Sequence, residues 1–329
     1  MGTLGSSEPT GAGKPRLFLT GGSGYIGRNL IRNLSGRYEI VALVRSTAAA
    51  ELVASLGALP YISELISDDL TEAMRGCEVM VHAAADTGHG PAMDAQRIVN
   101  VEGTRAVFLA ARRAHVARSV LISTESVLLD GRALVGARED HAFPRAPIGG
   151  YSRTKGEAET IALSHSQPEM AVMIIRPRFV WGRDDTTALP QLVQAVRSGR
   201  FAWIGGGRYR TSTTHVDNLC HGLDLVIDRG RKGEIYFITD GDPVEFRSFA
   251  TDLLATQGLV PPDKSIPRAL LRVVALIGDR LGRRAPINMQ TFATSAVEVT
   301  LNIDKARMEL GYSPRTSREA GLAEMRRYL

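Results

Sequence analysis

Short apolar runs alternate with longer segments of helical periodicity through the first half of the chain. The runs predicted as β-strands occupy residues 17–19, 40–44, 78–84, 119–123 and 171–176. Segments with apolar residues at helical spacing occupy residues 28–34, 69–75, 99–115 and 151–164. Strands that alternate with helices form right-handed βαβ crossovers and a parallel sheet. The pattern therefore predicts an α/β fold, a Rossmann-like doubly wound parallel sheet.

A glycine-rich turn links the first predicted strand to the first predicted helix, where residues 20–27 read TGGSGYIG. Gly21 permits the tight turn, Gly24 lets the backbone approach phosphate groups, and Gly27 lets helix and strand pack closely. A strand, a glycine turn and a helix in this order place a pyrophosphate on the helix N-terminus. The motif predicts a dinucleotide cofactor, and on this motif alone an ordinary glycine-rich turn is the alternative.

The alternation loosens after residue 176, where helices are predicted at 190–198 and 246–257 and a strand at 233–238. Residues 208–214 form a polar stretch. We therefore predict a dinucleotide-binding Rossmann domain over 15–176 and a smaller substrate-binding lobe over 177–329, with some exchange of strands and helices between them. Residues 1–14, rich in Gly, Ser, Thr and Pro, are predicted to be a flexible leader.

Composition narrows the class of protein further. The chain has 329 residues, 44% of them apolar, and a mean hydropathy of −0.06, values typical of a soluble globular protein. The net charge of +5 comes from arginines that are scattered among 35 acidic residues, so we predict no nucleic-acid binding. The two cysteines, Cys77 and Cys220, cannot form a disulfide framework, which favours a reducing compartment and a cytoplasmic location.

One helical segment, residues 269–281, is rich in apolar residues but is broken by Arg272, Asp279 and Arg280. No uninterrupted apolar run reaches 18 residues, so we predict no spanning segment. The segment is either an amphipathic helix that faces the core or a helix that lies on a membrane surface, and peripheral membrane association stays open.

A second chemical signal is the pair Tyr151 and Lys155, in the sequence YSRTK. Residues four apart lie on one face of a helix. A nearby ammonium favours the phenolate and lowers the pKa of a tyrosine, which brings it closer to the working range of an acid or base. A surface pair of a cation and an aromatic ring is the alternative interpretation. The pair lies under thirty residues after the strand that ends in Ser123 and Thr124. This position favours the interpretation that the pair is catalytic.

With these pieces the chain resembles the extended short-chain dehydrogenase/reductase superfamily, from residue 16 onward. The matching pieces are collinear: TGGSGYIG (20–27), VHAAA (81–85), NVEGT (100–104), ISTESV (122–127), YSRTK (151–155), RPRFVWG (176–182), HVDNL (215–219) and ARMELGYSP (306–314). Within it, the segments RPRFVWGRDDT, FAWIGGG, THVDNLCHGL and GEIYFITDGDPVEF look most like the 3β-hydroxysteroid dehydrogenase/isomerase group. The resemblance implies an enzyme that interconverts secondary alcohols and ketones on lipophilic substrates, steroid-like or 3-oxo acyl-like.

The resemblance also implies roles for particular residues. Tyr151 would be the catalytic acid/base, Lys155 its partner and a ligand of the nicotinamide ribose, Thr124 the group that holds the reacting oxygen, and Asn100 a support of the lysine through a water. The implied cofactor-binding set is Gly21, Gly24, Tyr25, Ile26, Gly27, Arg45, Ser46, Glu64, Leu65, Ala83, Ala84, Ala85, Ser123, Tyr151, Lys155, Pro177 and Val180.

The end of the second strand bears on the choice of nicotinamide cofactor. An acidic residue there would bind the ribose hydroxyls of NAD, but the strand ends in Arg45 and Ser46. A guanidinium suits a 2′-phosphate, so we predict NADP(H) in preference to NAD(H). Arg45 could instead stack on the adenine. Glu64 and Leu65 occupy the position where relatives have an acidic–apolar pair near the adenine.

For the substrate, we expect contacts from Thr87, Glu125, Arg178 and Phe179. Phe179, together with Phe201 and Trp203, fits an apolar substrate, although any core would contain such residues. Glu125 either lines the pocket edge or pairs with a local arginine.

Three rivals remain. A sugar-nucleotide dehydratase needs a second acid where this chain has Ser126. A nucleotide-sugar 4-epimerase must bind the diphosphate of its substrate. Thr211 and Ser212 occupy the positions where such relatives carry an Arg-Asp pair, which argues against this function. Arg208 and Arg210 lie close by in the sequence, so an epimerase stays open. A non-catalytic dinucleotide-binding regulator is the third, and the presence of the tyrosine, lysine and threonine argues against it.

Two further expectations concern metals and assembly. His215 has no Cys, His or carboxylate neighbours at ligand spacing, so we predict no metal site and assign His215 and Asp217 to packing and hydrogen bonding between the lobes. Relatives often dimerise through the helices that carry Asn100 and Tyr151, and by that analogy we expect a homodimer. The expected binding partner is otherwise a small-molecule substrate.

Overall fold

The computed structural model describes residues 13–67, 70–88, 93–145, 147–281 and 288–326. Most of the predicted leader therefore lies outside the described residues. Fifteen β-strands occur in the described part of the chain: β1 (Arg16–Thr20), β2 (Glu39–Val44), β3 (Leu59–Ile62), β4 (Cys77–His82), β5 (Arg118–Ile122), β6 (Leu134–Ala137), β7 (Ala171–Pro177), β8 (Val180–Trp181), β9 (Trp203–Ile204), β10 (Arg210–Thr211), β11 (Thr214–His215), β12 (Ile235–Ile238), β13 (Val244–Glu245), β14 (Ser265–Ile266) and β15 (Val299–Leu301).

Helices connect these strands and cover both faces of the sheet. The α-helices of the described residues are α1 (Tyr25–Leu34), α2 (Thr47–Ser55), α3 (Leu70–Ala73), α4 (Met93–Arg97), α5 (Gly103–Arg113), α6 (Gly149–Ser164), α7 (Ala188–Arg197), α8 (Val216–Arg229), α9 (Phe246–Ala255), α10 (Arg268–Leu281), α11 (Met289–Ser295), α12 (Asp304–Leu310) and α13 (Arg318–Arg326).

The main sheet has seven parallel strands in the order β12-β7-β5-β4-β1-β2-β3. Its inner strands are apolar along nearly their whole length, as expected of strands that are covered on both faces. One apolar cluster packs on each face, the larger one against α1 and α8 and the other against α5 and α6. The predicted doubly wound parallel sheet is confirmed.

Because the strand order reverses between β1 and β4, their carboxyl ends leave a crevice at the edge of the sheet where ligands bind in such folds. The second half of the chain also contributes to this sheet, since β12 pairs with β7. Conversely, strand β6 belongs to the first half of the chain but joins a smaller sheet of second-half strands, in the order β13-β10-β15-β6. The connections that build the site therefore cross between the two halves of the chain.

Two local features go beyond what the sequence pattern indicated. The helix predicted over 99–115 is present as α5, but it is preceded by a π-helical turn over residues Ile98–Glu102, between α4 and α5. The polar stretch 208–214, to which the pattern assigned no element, holds the short strand β10 and the start of β11. Its Thr211, Ser212, Thr213 and Thr214 are all buried, and their hydroxyls form hydrogen bonds inside the protein.

Among the described residues, the model contains no helix with the length and apolarity needed to cross a bilayer.

Candidate active site

The glycine turn has the geometry that a phosphate-binding turn requires. Gly21 has a φ of +73°, and a Cβ there would lie 2.7 Å from the Ala84 nitrogen. A Cβ on Gly27 would lie 2.0 Å from the Gly21 carbonyl oxygen, so only glycine lets α1 start this close to the turn. α1 has no side-chain cap at Gly24 and no acidic residue in its first turn. Its N-terminal N–H groups and positive dipole end are therefore available to an anion.

The end of β4 packs directly against this turn. Thr20 accepts hydrogen bonds from the backbone N–H groups of Ala83 and Ala84, through its carbonyl oxygen and its hydroxyl respectively (3.3 and 3.2 Å). Residues Ala83, Ala84 and Ala85 are half-buried, and Thr87 follows in an exposed position. The three alanines thus form one wall of the crevice beside the glycine turn, with little side chain to fill it.

The residues predicted to contact the adenosine lie past the ends of β2 and β3. Arg45 is exposed directly after β2, and Ser46 caps α2 by accepting the Ala49 N–H (3.2 Å). Glu64 is exposed two residues after β3, while Leu65 is half-buried. Since β2 and β3 are neighbours, Arg45 and Glu64 belong to the same edge of the sheet.

The carboxyl end of β5 carries the predicted catalytic groups. Thr124, two residues past β5, lies close enough to Tyr151 of α6 to influence its pKa. The Thr124 hydroxyl also donates to Glu125 Oε2 (3.0 Å) and accepts the Ser126 N–H (3.2 Å). Ser123 Oγ and Ser126 Oγ are buried and have no hydrogen-bond partner among the described residues. Unpartnered hydroxyls beside a tyrosine and a threonine are a polar environment suited to a bound ligand.

Glu125 and Arg178 form a buried ion pair behind these groups. Arg178 Nη1 donates to Glu125 Oε1 at 2.5 Å, and the two side chains are 3% and 5% exposed. Arg178 Nε donates to Thr211 Oγ1 (2.9 Å), and Nη2 donates to the Thr294 carbonyl (3.1 Å). The structure therefore shows the pairing of Glu125 with a local arginine that the sequence left as an alternative, and substrate contacts of these two residues stay a prediction.

Lys155 reaches the same strand end from the next turn of α6. Its buried Nζ donates to the carbonyl of Ile122, the last residue of β5 (2.8 Å). Burial lowers the pKa of Lys155 to about 8, whereas the Glu159 carboxylate acts in the opposite direction. A lysine with this pKa is still largely protonated at neutral pH, so a positive charge lies at the carboxyl end of β5.

The expectation for the pKa of Tyr151 is wrong for this structure. Burial raises the pKa of Tyr151, the negative charge of Glu125 raises it further, and only the nearby Thr124 side chain lowers it. The i, i+4 spacing was expected to bring the Lys155 ammonium to the phenol, but its hydrogen bond goes to the Ile122 carbonyl. Tyr151 is therefore a protonated phenol at neutral pH, a form that can donate a proton.

Asn100 lies in the π-helical turn and ties two segments to each other. Its Oδ1 accepts the Asp86 N–H (2.8 Å), and its Nδ2 donates to the Asp86 carbonyl (3.0 Å) and to Thr154 Oγ1 (3.1 Å). It thereby fixes the loop after β4 to α6, one residue before Lys155. Its predicted support of the lysine through a water stays a prediction. π-helical turns are frequent at functional sites.

The chain leaves β7 in an unusual conformation. Phe179 has a φ of +41°, which is rare for a bulky residue, and it lies between Pro177 and Val180, both predicted to bind the cofactor. Its ring contacts Phe246 and Phe249 edge to face, with ring centroids 6.1 and 5.6 Å apart. The side chain is only half-buried, so part of it is accessible on this side of the sheet.

Phe201 and Trp203, in contrast, are both buried. They form a buried cluster with Ala250 and Leu254, and their rings contact each other edge to face at 4.8 Å. Their predicted part in binding an apolar substrate is therefore corrected to packing of the second lobe.

Sequence reasoning missed a second buried ion pair beside the site. Arg176 of β7 donates twice to Glu159 of α6 (2.9 and 2.6 Å), and both side chains are almost fully buried. A charged residue at the end of an apolar strand signals a buried partner, because an unpaired charge there would be too costly. Glu159 lies four residues after Lys155, hence on the same face of α6, and could have been found by that spacing.

The expectation that His215 has no carboxylate neighbours at the spacing of metal ligands is also wrong. Asp217 and Glu324 of α13 do lie close, with one ligand atom of each residue within 4.8 Å of the others. His215 Nδ1 accepts the Asp217 N–H (3.3 Å) as the cap of α8, so this lone pair is already engaged. The hydrogen-bonding and packing role assigned to His215 agrees with its edge-to-face contact with Trp181 at 4.7 Å.

The fold and the strand-end site together define a dehydrogenase/reductase of the extended short-chain type, and comparison with known proteins identifies the family. The chain belongs to the 3-beta hydroxysteroid dehydrogenase/isomerase family, whose model matches residues 18–268. The protein is therefore an enzyme, an oxidoreductase.

Two curated relatives match nearly the full chain. The 4-hydroxy-2-methyl-3-oxo-4-farnesyl-3,4-dihydroquinoline-1-oxide ketoreductase of Stigmatella aurantiaca is 48% identical over 94% of this chain and 96% of its own length. The decarboxylating sterol-4-alpha-carboxylate 3-dehydrogenase of Dictyostelium discoideum is 31% identical over 94% of this chain and 99% of its own.

Solved structures agree on the architecture. The crystal structure of gox2253 superposes with a TM-score of 0.78 and 29% identity, covering 96% of this chain and 99% of its own. MoeE5, solved with UDP-glucose and NAD, superposes with a TM-score of 0.74 at 23% identity, covering 95% of this chain and 98% of its own. The second likeness concerns the fold alone.

Proposed function

We propose that this enzyme reduces a ketone on a lipophilic molecule to a secondary alcohol, with a nicotinamide dinucleotide as cofactor. The observation that carries the proposal is the convergence of three side chains at the carboxyl end of β5. Tyr151 lies close to Thr124, and Lys155 donates to the last carbonyl of that strand. Strand ends beside a glycine turn are where such sheets bind their ligands.

The residues present fit the cofactor. The uncapped N-terminus of α1 would hold the pyrophosphate, and the three alanines after β4 leave room for the dinucleotide along the crevice. Ser123 Oγ, buried and unpartnered, would lie next to the nicotinamide end. When bound, the nicotinamide exchanges a hydride with a carbon atom, which is chemistry that no side chain provides.

The chain's own contribution is to place and move one proton. Tyr151 Oη holds a proton at neutral pH because its pKa is raised, so it can donate to the ketone oxygen. Thr124 would help hold that oxygen, and the Lys155 ammonium, which donates to the Ile122 carbonyl in this structure, would supply positive charge on the same face of α6 as Tyr151. The direction of reduction is proposed on the name of the relative that is 48% identical, a ketoreductase.

A lipophilic substrate is supported by the surroundings and by the relatives. The half-buried rings of Phe179 and Phe246, which contact each other edge to face, offer an apolar surface on one side of the strand ends. The ketoreductase that is 48% identical acts, by its name, on a farnesylated 3-oxo-dihydroquinoline oxide. We therefore extend the proposal to a cyclic ketone that carries a long apolar substituent.

No observation favours the nucleotide-sugar reactions to the same degree. Thr211, where sugar-nucleotide enzymes carry a charged pair, is buried and accepts a hydrogen bond from Arg178. Arg208 and Arg210 are exposed, and Arg210 donates to the Pro243 carbonyl. Ser126 is buried and cannot act as the second acid of a dehydratase.

The test combines cofactor binding with turnover. NADPH and NADH are titrated separately by fluorescence, and absorbance at the nicotinamide band is then followed with keto-steroids, 3-oxo acyl compounds, a prenylated 3-oxo-dihydroquinoline and UDP-sugars. We expect oxidation of the reduced cofactor with at least one lipophilic ketone. Conversion of a UDP-sugar without net redox change would overturn the proposal in favour of an epimerase.

The role of Tyr151 is tested by Tyr151→Phe. Turnover is expected to fall by about 10²- to 10⁴-fold, the usual contribution of a general acid, while cofactor affinity stays unchanged. Tyr38→Phe is the matched control, because Tyr38 is buried beside α1 and its ring contacts Arg37 instead of the site. Full activity of Tyr151→Phe would reject the assignment of the acid.

A homodimer, expected from the family resemblance, is a separate proposal. The helices α5 and α6 would form the contact, and light scattering that shows a monomer at working concentrations would remove it.

A further inference from the structure

The helix α10 is apolar on two opposite faces. Leu271 and Ala275 face the protein core and are buried. Five aliphatic side chains on the other side are between 39% and 56% exposed, which is unusual for residues of this size. They are Leu270, Val273, Val274, Leu276 and Ile277. Four of them recur at i, i+3, i+4 and i+7, so they form one continuous stripe, which we call the outer face of α10.

Positive charge is concentrated around this face. Between residues 264 and 284 the sequence has six basic residues and one acidic residue, a net charge of +5. The whole chain also has a net charge of +5, so the remaining residues are neutral in sum. Lys264, Arg268 and Arg272 are exposed among the described residues. The sequence segment that contains α10 thus carries the whole net charge of the chain, and three of its basic residues are exposed in the part that the structure describes.

This combination fits a lipid surface better than another protein. Protein interfaces are enriched in aromatic residues, but α10 carries none and its outer face is purely aliphatic. An exposed aliphatic stripe with flanking arginines is the pattern of a helix that lies in the interface of an anionic bilayer. At 14 residues, or roughly 21 Å, α10 is too short to cross the hydrocarbon core and long enough to lie along it.

The outer face is also connected to the proposed site through a series of contacts. The Arg268 guanidinium lies over the Tyr209 ring at 5.5 Å, and Tyr209 stacks on Phe246 at 5.3 Å. Phe246 in turn contacts Phe179 at the end of β7. These contacts join α10 to the end of β7 through packed side chains, among them the buried Tyr209.

We propose that the outer face of α10 and its flanking basic residues dock this enzyme on an anionic lipid bilayer. The docking stands independently of the reaction, whereas its use, the uptake of a lipophilic ketone from the bilayer, rests on the proposed function. Apolar burial and charge attraction contribute together, so binding should need both anionic lipid and the aliphatic stripe.

The first experiment is co-sedimentation of the full chain with vesicles, without cofactor or substrate. Vesicles of phosphatidylcholine with 30% phosphatidylglycerol are compared with pure phosphatidylcholine at low and high salt. We expect binding to the anionic vesicles that weakens with salt. Val273→Ser/Ile277→Ser should lower it at least tenfold, and Arg272→Glu about tenfold. Met308→Ser and Arg113→Glu, exposed elsewhere, are the matched controls and should bind as the wild type does.

A second measurement reports on the face directly. Both native cysteines are buried, so a thiol-reactive, polarity-sensitive dye would label Ile277→Cys selectively. Its emission should shift to the blue with anionic vesicles, while the same dye on Met308→Cys should not change. The labelled Ile277→Cys variant tests the proposal even if the serine variants fail to fold, because it contains neither serine substitution.

The alternatives give different outcomes. If the wild type does not bind anionic vesicles, or if the serine variants bind equally well, the proposal is overturned. If light scattering shows that Val273→Ser/Ile277→Ser converts an oligomer into a monomer and no vesicle binding occurs, the face is an interface between copies of the chain. Because vesicle binding is measured without turnover, a failed ketone screen would leave this result standing.

Discussion

The Thr124 hydroxyl donates its hydrogen bond to Glu125 Oε2 at a distance of 3.0 Å. The other carboxylate oxygen of Glu125 accepts from Arg178, so the proposed substrate-holding threonine is held by a buried ion pair. To donate to a ketone oxygen, the Thr124 hydroxyl must rotate away from this acceptor. The pair thus fixes the threonine in position while competing with the substrate for its proton.

Removal of the Glu125 charge should destabilise the protein strongly. Glu125→Gln leaves the buried Arg178 guanidinium without its counter-charge, and we expect a loss of about 3 kcal/mol in the free energy of unfolding. Chemical denaturation measures it. Glu102→Gln is the control, because its arginine partners are exposed and the expected loss is below about 1 kcal/mol. Similar losses in both variants would show that the buried pair contributes no more than a surface pair.

The buried Lys155 should make stability depend on pH. Its pKa is lowered from 10.5 to about 8 in the folded protein, so between these values the unfolded chain binds more protons. The free energy of unfolding of the wild type should therefore rise relative to Lys155→Met from pH 7 to pH 10, by about 2 kcal/mol. Urea titrations at several pH values measure the difference.

The control for this pH effect is Lys232→Met, since Lys232 is exposed. It should show none of the rise. A constant difference between wild type and Lys155→Met across this range would contradict the lowered pKa of the lysine.

The approach of α1 to the glycine turn should tolerate no side chain at Gly27. Gly27→Ala places a methyl group 2.0 Å from the Gly21 carbonyl, so the turn must move and cofactor binding should fall at least tenfold. Gly36→Ala is the matched control, because nothing lies within 4 Å of a Cβ there. Fluorescence titration of NADPH compares the two, and normal affinity in Gly27→Ala would show that the turn does not hold the pyrophosphate.

The cofactor preference should depend on Arg45. If its guanidinium binds a 2′-phosphate, Arg45→Ala loses about 1.5 to 3 kcal/mol of NADPH affinity, roughly 10- to 100-fold, and almost none for NADH. Arg113→Ala, another exposed arginine, should change neither affinity. Equal losses for both cofactors would mean that Arg45 stacks on the adenine, and the preference for NADP(H) would then have no basis.

Local patterns accounted for much of the fold. The strands of the main sheet are apolar runs of four to seven residues, and their alternation with helices predicted the parallel sheet. The glycine turn and the Tyr151–Lys155 spacing likewise placed α1 and α6 next to the strand ends. These signals are strong because each is carried by residues that are close in sequence.

Contacts between distant segments could not be predicted in this way. Arg178 pairs with Glu125 across 53 residues, and β6 pairs with β15 across more than 160 residues. Several strands of the second lobe, such as β10 and β11, are only two residues long, too short for any periodicity. Thr211 and Thr214 of these strands are polar residues typical of loops, yet they are buried because their hydroxyls form hydrogen bonds inside the protein.

The π-helical turn that carries Asn100 has a consequence for how the site could be lost. Such a turn holds one residue more than an α-helix needs, so deletion of a single residue there would leave a regular helix from α4 through α5. The residues on either side of the turn would keep their orientation, because the extra residue is accommodated within the turn, whereas Asn100 inside the turn would point in a different direction. The helix would gain regularity while the Asp86 loop lost its anchor, so at this position the enzyme retains an irregularity that selection for stability alone would remove.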